Sequence, residues 1–320
     1  MKTFNGVILD RDSMHPDDLD LSPLLDIAAI NWRSYANTRP DETAARIAAA
    51  DIVLSNKVAL GEVEINAAAQ LKYIGVLATG TNIIDHPSTQ QRGIVVNNCV
   101  AYGTASVVQH SWALILALST GLQSYSRAAR QSWASSDFFC VLDYPITELA
   151  GKTLGIIGYG ELGRGVANIG RAFGMNIISA AIPGWRSATD SETPRLPLAT
   201  FLATADVISI HCPLSEQTRN LIDADEFALM KSSALLINCA RGGIVNEQAL
   251  AKALKQGAIA AAGVDVLTQE PPIDGNVLLE SDIPNLIVTP HCAWGSREAR
   301  QRLVNQAGEK LRTFIDSADQ

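Results

Sequence analysis

The sequence predicts an α/β protein built on two parallel sheets, each packed between helices. Three observations carry that expectation. Short apolar runs alternate with helical patterns along most of the chain, as parallel strands joined by right-handed crossovers do. Many of the runs are apolar throughout, which suits strands buried on both faces. Near the middle, Thr153-Leu154-Gly155-Ile156-Ile157 leads into Gly158-x-Gly160-x-x-Gly163 and then a helical pattern, Arg164 to Gly174.

The first hundred residues hold five strand candidates, Val7–Asp10, Ile27–Trp32, Ile52–Ser55, Tyr73–Ala78 and Ile94–Asn97. Helical patterns at Asp41–Ala50 and Val63–Leu71 separate some of them. Two loop clusters, Ser55-Asn56-Lys57 and Ala78-Thr79-Gly80-Thr81-Asn82, follow predicted strands. They therefore lie at carboxyl ends, where open sheets bind ligands, although ordinary turns would read the same. From Thr104 to Ala129 the pattern is mostly apolar and predicts one long buried helix. Trp133 to Ile146, of mixed polarity and with Pro145, reads as a loop.

The second half gives six runs: Thr153–Gly158, Asn176–Ile182, Asp206–Cys212, Ala234–Ala240, Ala260–Val266 and Leu286–His291. The glycine pattern sits on the first. Gly158 makes the tight turn, Gly160 lets a pyrophosphate approach the backbone, and Gly163 lets the helix pack close to the strand. The helix start then offers N–H groups and partial positive charge to phosphates. Six strands with this turn on the first predict a doubly wound dinucleotide fold, ordered 3-2-1-4-5-6. Ser296 to Ser317 closes the chain as an amphipathic helix, with apolar Leu303, Val304, Ala307, Leu311, Phe314 and Ile315.

The whole chain sets limits on function. Its 320 residues suffice for about two domains, and 47% hydrophobic with 18% charged residues suits a globular protein with a large core. A net charge of −8 without a long basic run argues against nucleic acid or an anionic membrane as partner. No window holds eighteen consecutive apolar residues, so no membrane span is expected. The start of the chain lacks a signal-peptide pattern. Five scattered cysteines without a CxxC suggest free thiols in the cytoplasm. No metal-ligand spacing is seen among cysteines and histidines, so no metal is expected.

Charged residues gather at the predicted strand ends. Arg241 follows Leu236-Ile237-Asn238-Cys239-Ala240, Asp265 follows Ala261-Ala262-Gly263-Val264, and His291 follows Leu286-Ile287-Val288-Thr289-Pro290. Glu270 lies just beyond Asp265. If the dinucleotide carries a nicotinamide, a hydride moves at its ring and a proton moves at the substrate oxygen. Histidine suits that proton, a carboxylate beside it would hold its orientation, and arginine binds a carboxylate with two parallel N–H bonds. The trio suits a small 2-hydroxy acid and its 2-oxo partner. Each residue also has a structural alternative as a turn, cap or hydrogen-bonded strand-end residue. His211, which also ends a strand, is read as structural.

Four ordered motifs then carry a resemblance. They are Leu149-Ala150-Gly151-Lys152-Thr153-Leu154-Gly155-Ile156-Ile157-Gly158-Tyr159-Gly160, Ile237-Asn238-Cys239-Ala240-Arg241-Gly242-Gly243, Gly263-Val264-Asp265-Val266 with Glu270-Pro271-Pro272, and Thr289-Pro290-His291-Cys292-Ala293-Trp294. Together they resemble the D-isomer-specific 2-hydroxyacid dehydrogenase family over nearly the whole chain. Trp133 to Glu148, with Phe138-Phe139-Cys140, looks most like its glycerate dehydrogenase (hydroxypyruvate reductase) branch.

The resemblance implies roles. Arg241 binds the substrate carboxylate and polarises the reacting carbonyl, His291 exchanges the proton, and Glu270 is its partner. Asp265, Cys239 and Ala240 serve the nicotinamide end, and Thr104 touches cofactor. Glu161 and Leu162 present N–H groups to the pyrophosphate beside Gly158, Gly160 and Gly163. Thr79 and Gly80 present theirs to the substrate carboxylate. It also implies a homodimer and two doubly wound domains: a flavodoxin-like substrate domain, residues 1–100 with 297–320, and a Rossmann NAD(P)-binding domain, residues 101–296. The cofactor is NAD or NADP, with the choice open. Many relatives end the second strand in an aspartate that binds the adenosine ribose, whereas this chain has Ala181 there, followed by Pro183-Gly184-Trp185-Arg186-Ser187. Two alternatives stand beside the dehydrogenase: a nicotinamide-sensing, corepressor-like protein on the same fold, and a methyltransferase with a similar glycine turn. The methyltransferase leaves Arg241, Glu270 and His291 without a joint role.

Overall fold

The protein is described by a computed structural model over residues 3–182 and 193–318. Two compact units emerge, Met1–Gly103 with Gly295–Gln320, and Thr104–Trp294. In chain order the first unit holds β1 (Phe4–Ile8), α1 (Ser22–Leu25), β2 (Ile30–Ser34), α2 (Pro40–Ile47), β3 (Ile52–Ser55), α3 (Glu62–Ala67), β4 (Tyr73–Val76), α4 (His86–Gln91) and β5 (Val95–Asn98). The second holds α5 (Thr104–Ser119), α6 (Leu122–Gln131), β6 (Thr153–Ile157), α7 (Glu161–Ala172), β7 (Asn176–Ala181), β8 (Arg195–Pro197), α8 (Leu198–Thr204), β9 (Val207–Ile210), α9 (Ala224–Leu229), β10 (Leu235–Asn238), α10 (Glu247–Lys255), β11 (Ala261–Val264) and β12 (Leu286–Val288). The terminal helix α11 (Arg297–Ala318) belongs to the first unit.

The first unit's sheet is parallel and ordered β2-β1-β3-β4-β5, the flavodoxin-type order. Ile47 from α2 and Ile65 from α3 join Val7, Val53, Ile74 and Val76 of the strands in one buried cluster. Phe314 of α11 brings its ring to 4.8 Å from Tyr73 and 6.3 Å from Phe4. Strand order reverses between β1 and β3, where Asp10 is buried. Its carboxylate accepts from Asn56 N at 2.9 Å and Lys57 N at 2.7 Å, and so shapes the predicted Asn56-Lys57 loop. Burial pushes this carboxyl group up from its ordinary value, against those hydrogen bonds.

The second unit's sheet is also parallel, ordered β12-β11-β10-β9-β6-β7-β8. Six strands were expected, and the described residues form seven. The additional β8 is three residues long, ends in Pro197 and pairs only along the sheet edge. Its short, mixed sequence gives no apolar run. The six expected runs are therefore ordered 2-1-3-4-5-6 rather than 3-2-1-4-5-6, because the missed β8 takes the edge place beside β7 that was expected for the Asp206–Cys212 run. The glycine turn stays on the first of them, inside the sheet. Side chains alternate faces as strand geometry requires. Ile157, Ile208, Leu236 and Ala262 pack with Phe201, Phe227 and Leu250 from α8, α9 and α10. Leu154, Ile156, Val207, Leu235 and Ile237 pack on the opposite side with Trp112 and Ile115 of α5 and Val166 of α7.

The predicted helix from Thr104 to Ala129 is two helices. It breaks at Gly121, whose φ of 61° ends the first, and the axes bend by 55°. No single described helix is long and apolar enough to cross a membrane.

Candidate active site

The dinucleotide turn meets its physical requirements. Gly158 has φ 96°, and a Cβ there would lie 2.6 Å from the His211 carbonyl carbon and the Cys212 nitrogen. A Cβ on Gly163 would lie 2.2 Å from Gly158 O, so the close helix–strand approach demands glycine. Around Gly160 there is open space, as a backbone that admits a pyrophosphate needs. α7 starts at Glu161 with no side-chain cap on its first turn, which leaves this end suited to an anion. Thr104 Oγ1 donates to Glu161 Oε1 at 2.6 Å, which joins two of the predicted cofactor residues. These residues fit a dinucleotide.

Arg241 lies beyond β10 in a turn stapled by buried Asn238. Asn238 Oδ1 accepts from Ala240 N at 3.1 Å, its Nδ2 donates to Arg241 O at 3.0 Å, and Arg241 Nη1 donates to Ala240 O at 2.6 Å. Cys239 and Ala240 are buried, and burial pushes the Cys239 thiol up to about 12, so it stays protonated.

Beyond β12 the backbone turns sharply. His291 has φ 51°, unusual for a residue with a side chain, and its N–H donates to Asp265 O at 2.7 Å. Its Nδ1 lies 2.6 Å from Glu270 Oε2. A carboxylate only accepts, so Nδ1 donates and Nε2 is left to exchange a proton. Glu270 is held in turn by Leu267 N, which donates to Oε1 at 2.8 Å. Glu270 and His291, 21 residues apart, are thereby brought together.

Asp265, only 1% exposed, accepts from Thr289 Oγ1 at 2.6 Å, Cys292 N at 3.0 Å and Ala293 N at 3.0 Å. His110 of α5 reaches the same spot, with Nε2 3.0 Å from Thr289 Oγ1 and 3.5 Å from Asp265 Oδ1. Donor atoms of His110, Asp265 and Cys292 lie within 4.8 Å of one another. His110 and Asp265 are already bonded through Thr289, which favours a hydrogen-bond network over a cation site. His110 and Thr289 drew no role from the sequence, because residues 110, 265 and 289 show no spacing pattern.

His211 is half-buried and differs from His291. Nε2 lies 2.8 Å from Ser209 Oγ, and among the described residues buried Nδ1 has no partner. Burial pushes this imidazole down to about 4. In the first unit, Thr79 is exposed and Gly80 half-buried in the loop after β4, and Thr79 O accepts from Asn98 Nδ2 at 2.6 Å. Ala181 is the last residue of β7. Arg186 and its neighbours lie outside the described residues.

A seven-stranded sheet with its glycine turn on an interior strand, and a histidine–carboxylate pair beyond its far strands, define a nicotinamide-dependent oxidoreductase. Residues 112–293 match the family model "D-isomer specific 2-hydroxyacid dehydrogenase, NAD binding domain". The glycerate dehydrogenase of Methylorubrum extorquens is 42% identical over 286 residues, 89% of either chain. The hydroxypyruvate reductase of Blautia hydrogenotrophica is 36% identical over 313 residues, 97% of this chain and 96% of that one. Among solved structures, an acyclic imino acid reductase in complex with NADPH and D-Arg superposes with a TM-score of 0.83 at 26% identity, covering 98% of this chain and 97% of that one. The chain belongs to the D-isomer-specific 2-hydroxyacid dehydrogenase family.

Proposed function

We propose that the protein reduces small 2-oxo acids, hydroxypyruvate and glyoxylate, to D-glycerate and glycolate. The observation that carries this is the 2.6 Å bond between His291 Nδ1 and Glu270 Oε2 beyond a dinucleotide-type sheet. The names of the two relatives support the substrate class. When bound, the nicotinamide supplies the hydride that adds to the carbonyl carbon. Gly158, Gly160, Gly163, Glu161, Leu162 and Thr104 hold the cofactor's phosphate side, and Cys239, Ala240 and Asp265 its nicotinamide side. Arg241 grips the substrate carboxylate and polarises the carbonyl. His291 Nε2 delivers the proton to the carbonyl oxygen, and Glu270 stabilises the imidazolium in the correct orientation.

Ala181 offers no carboxylate to repel a 2′-phosphate, so NADPH is accepted beside NADH. The segment after α6 exposes Trp133, Phe138, Phe139, Leu142 and Ile146, an apolar patch suited to a second copy of the chain, and a homodimer follows. Five free cysteines fit a cytoplasmic enzyme. Sedimentation in solution tests the dimer.

The main test assays a panel of 2-oxo acids with NADH and with NADPH by nicotinamide absorbance. Hydroxypyruvate and glyoxylate should turn over fastest. Tight nicotinamide binding without turnover of any acid would replace this reading with the sensor.

A further inference from the structure

We infer that His110 and Thr289 are positioning residues for proton transfer, acting through Asp265 on the turn that carries His291. The inference rests on the reading of His291 as the proton-exchanging group.

The hydroxyl proton of Thr289 goes to Asp265 Oδ1 at 2.6 Å, because a carboxylate only accepts. The Thr289 oxygen is then the acceptor for His110 Nε2 at 3.0 Å, and His110 carries its proton there. A one-way chain results, from His110 through Thr289 to Asp265. The far end of Asp265 is the turn itself. Its two carboxylate oxygens hold the N–H groups of Cys292 and Ala293, and its backbone oxygen holds the N–H of His291. Three successive amides, 291 to 293, therefore hang on one buried residue. His291, the first of them, sits at φ 51°, a conformation that persists only where its surroundings impose it. Buried networks of this kind fix geometry when every member is satisfied. Asp265 is already well supplied with donors, so the added value of Thr289 and His110 is to fix the direction of its carboxylate. α5 is packed on the sheet through Trp112 and Ile115, so it brings His110 as a fixed post.

The decisive variants come in pairs, one that breaks a bond and one that keeps it. Thr289→Val should lower kcat by about 10- to 100-fold, the usual result of misplacing a reacting group by an ångström or less. Thr289→Ser keeps the hydroxyl and should stay within about threefold of the parent. His110→Leu should fall like Thr289→Val, while His110→Gln keeps an N–H donor and recovers most of the rate. KM for the 2-oxo acid should move little. In a His291→Asn background, Thr289→Val should cost nothing further, because its effect passes through His291. Without any cofactor, amide exchange in residues 291–293 should quicken in Thr289→Val and not in Thr289→Ser.

Equal losses in the Val and Ser variants, or full additivity with His291→Asn, would overturn the inference. An unaffected His291→Asn would instead remove the proton-transfer role of His291, and the two failures are distinguishable.

Discussion

Two histidines stand just past parallel strands of one sheet, and their fates differ. His211 follows β9, shares a 2.8 Å hydrogen bond with Ser209 Oγ, and buries its other nitrogen without a partner among the described residues. His291 follows β12, keeps its side chain a quarter exposed, and is met by a carboxylate arriving from a separate loop. Strand position alone does not make a catalytic histidine. The proposed role rests on the partner, because a carboxylate that accepts from one ring nitrogen fixes the ring and leaves the other nitrogen to exchange a proton, whereas the burial of His211 disfavours its charged form.

The largest test of this contrast is His291→Asn. It should leave cofactor binding nearly intact and cut turnover by about 10²- to 10⁴-fold, the usual worth of a positioned acid–base. Arg241→Lys sharpens the picture on the substrate side. It keeps the charge but loses the planar fork, and kcat/KM should drop roughly 10²-fold; parity between Lys and Arg would end the bidentate role. Glu270→Gln keeps an acceptor for Leu267 N but removes the charge, so the rate should fall about 10- to 100-fold.

A smaller effect concerns the cofactor. Ala181→Asp should shift the kcat/KM ratio toward NADH by about tenfold, as ~1.4 kcal/mol of repulsion against a 2′-phosphate would do. A parent enzyme that already rejects NADPH would mean that another group reads the ribose.

A separate effect is on stability rather than rate, and it belongs to His211. Its ordinary value of 6.5 is lowered to about 4 in the folded protein. Unfolded chains therefore bind the extra proton first as pH falls. Stability is fully present above pH 6.5 and is lost between there and about pH 4, by roughly 3 kcal/mol. His211→Gln should flatten that part of a Tm-against-pH curve. A curve unchanged by the substitution would show that His211 is not the group responsible.

The sequence was most legible where the backbone leaves little choice. Gly158 and Gly163 sit where a Cβ would collide, so the turn between β6 and α7 announces itself. The apolar runs of β9, β10 and β11 are buried throughout, and they read as central strands. β8 was missed because a three-residue edge strand carries no periodic signal. The helix break at Gly121 was missed because the helical patterns on its two sides were read as one mostly apolar stretch. In the site, Arg241, Glu270 and His291 drew attention as charged groups at strand ends. The His110–Thr289–Asp265 chain did not, since a helix and two strand ends meet there only after folding.

The most direct measurement sets the two histidines side by side. Single-turnover rates of nicotinamide oxidation with hydroxypyruvate would be compared for His291→Asn and His211→Asn, with the cofactor Kd measured for each. The rate should collapse by about 10²-fold or more in His291→Asn, at near-parent Kd, and stay within about tenfold in His211→Asn. A collapse in His211→Asn with His291→Asn near the parent rate would contradict the assignment of proton transfer to the histidine that Glu270 holds.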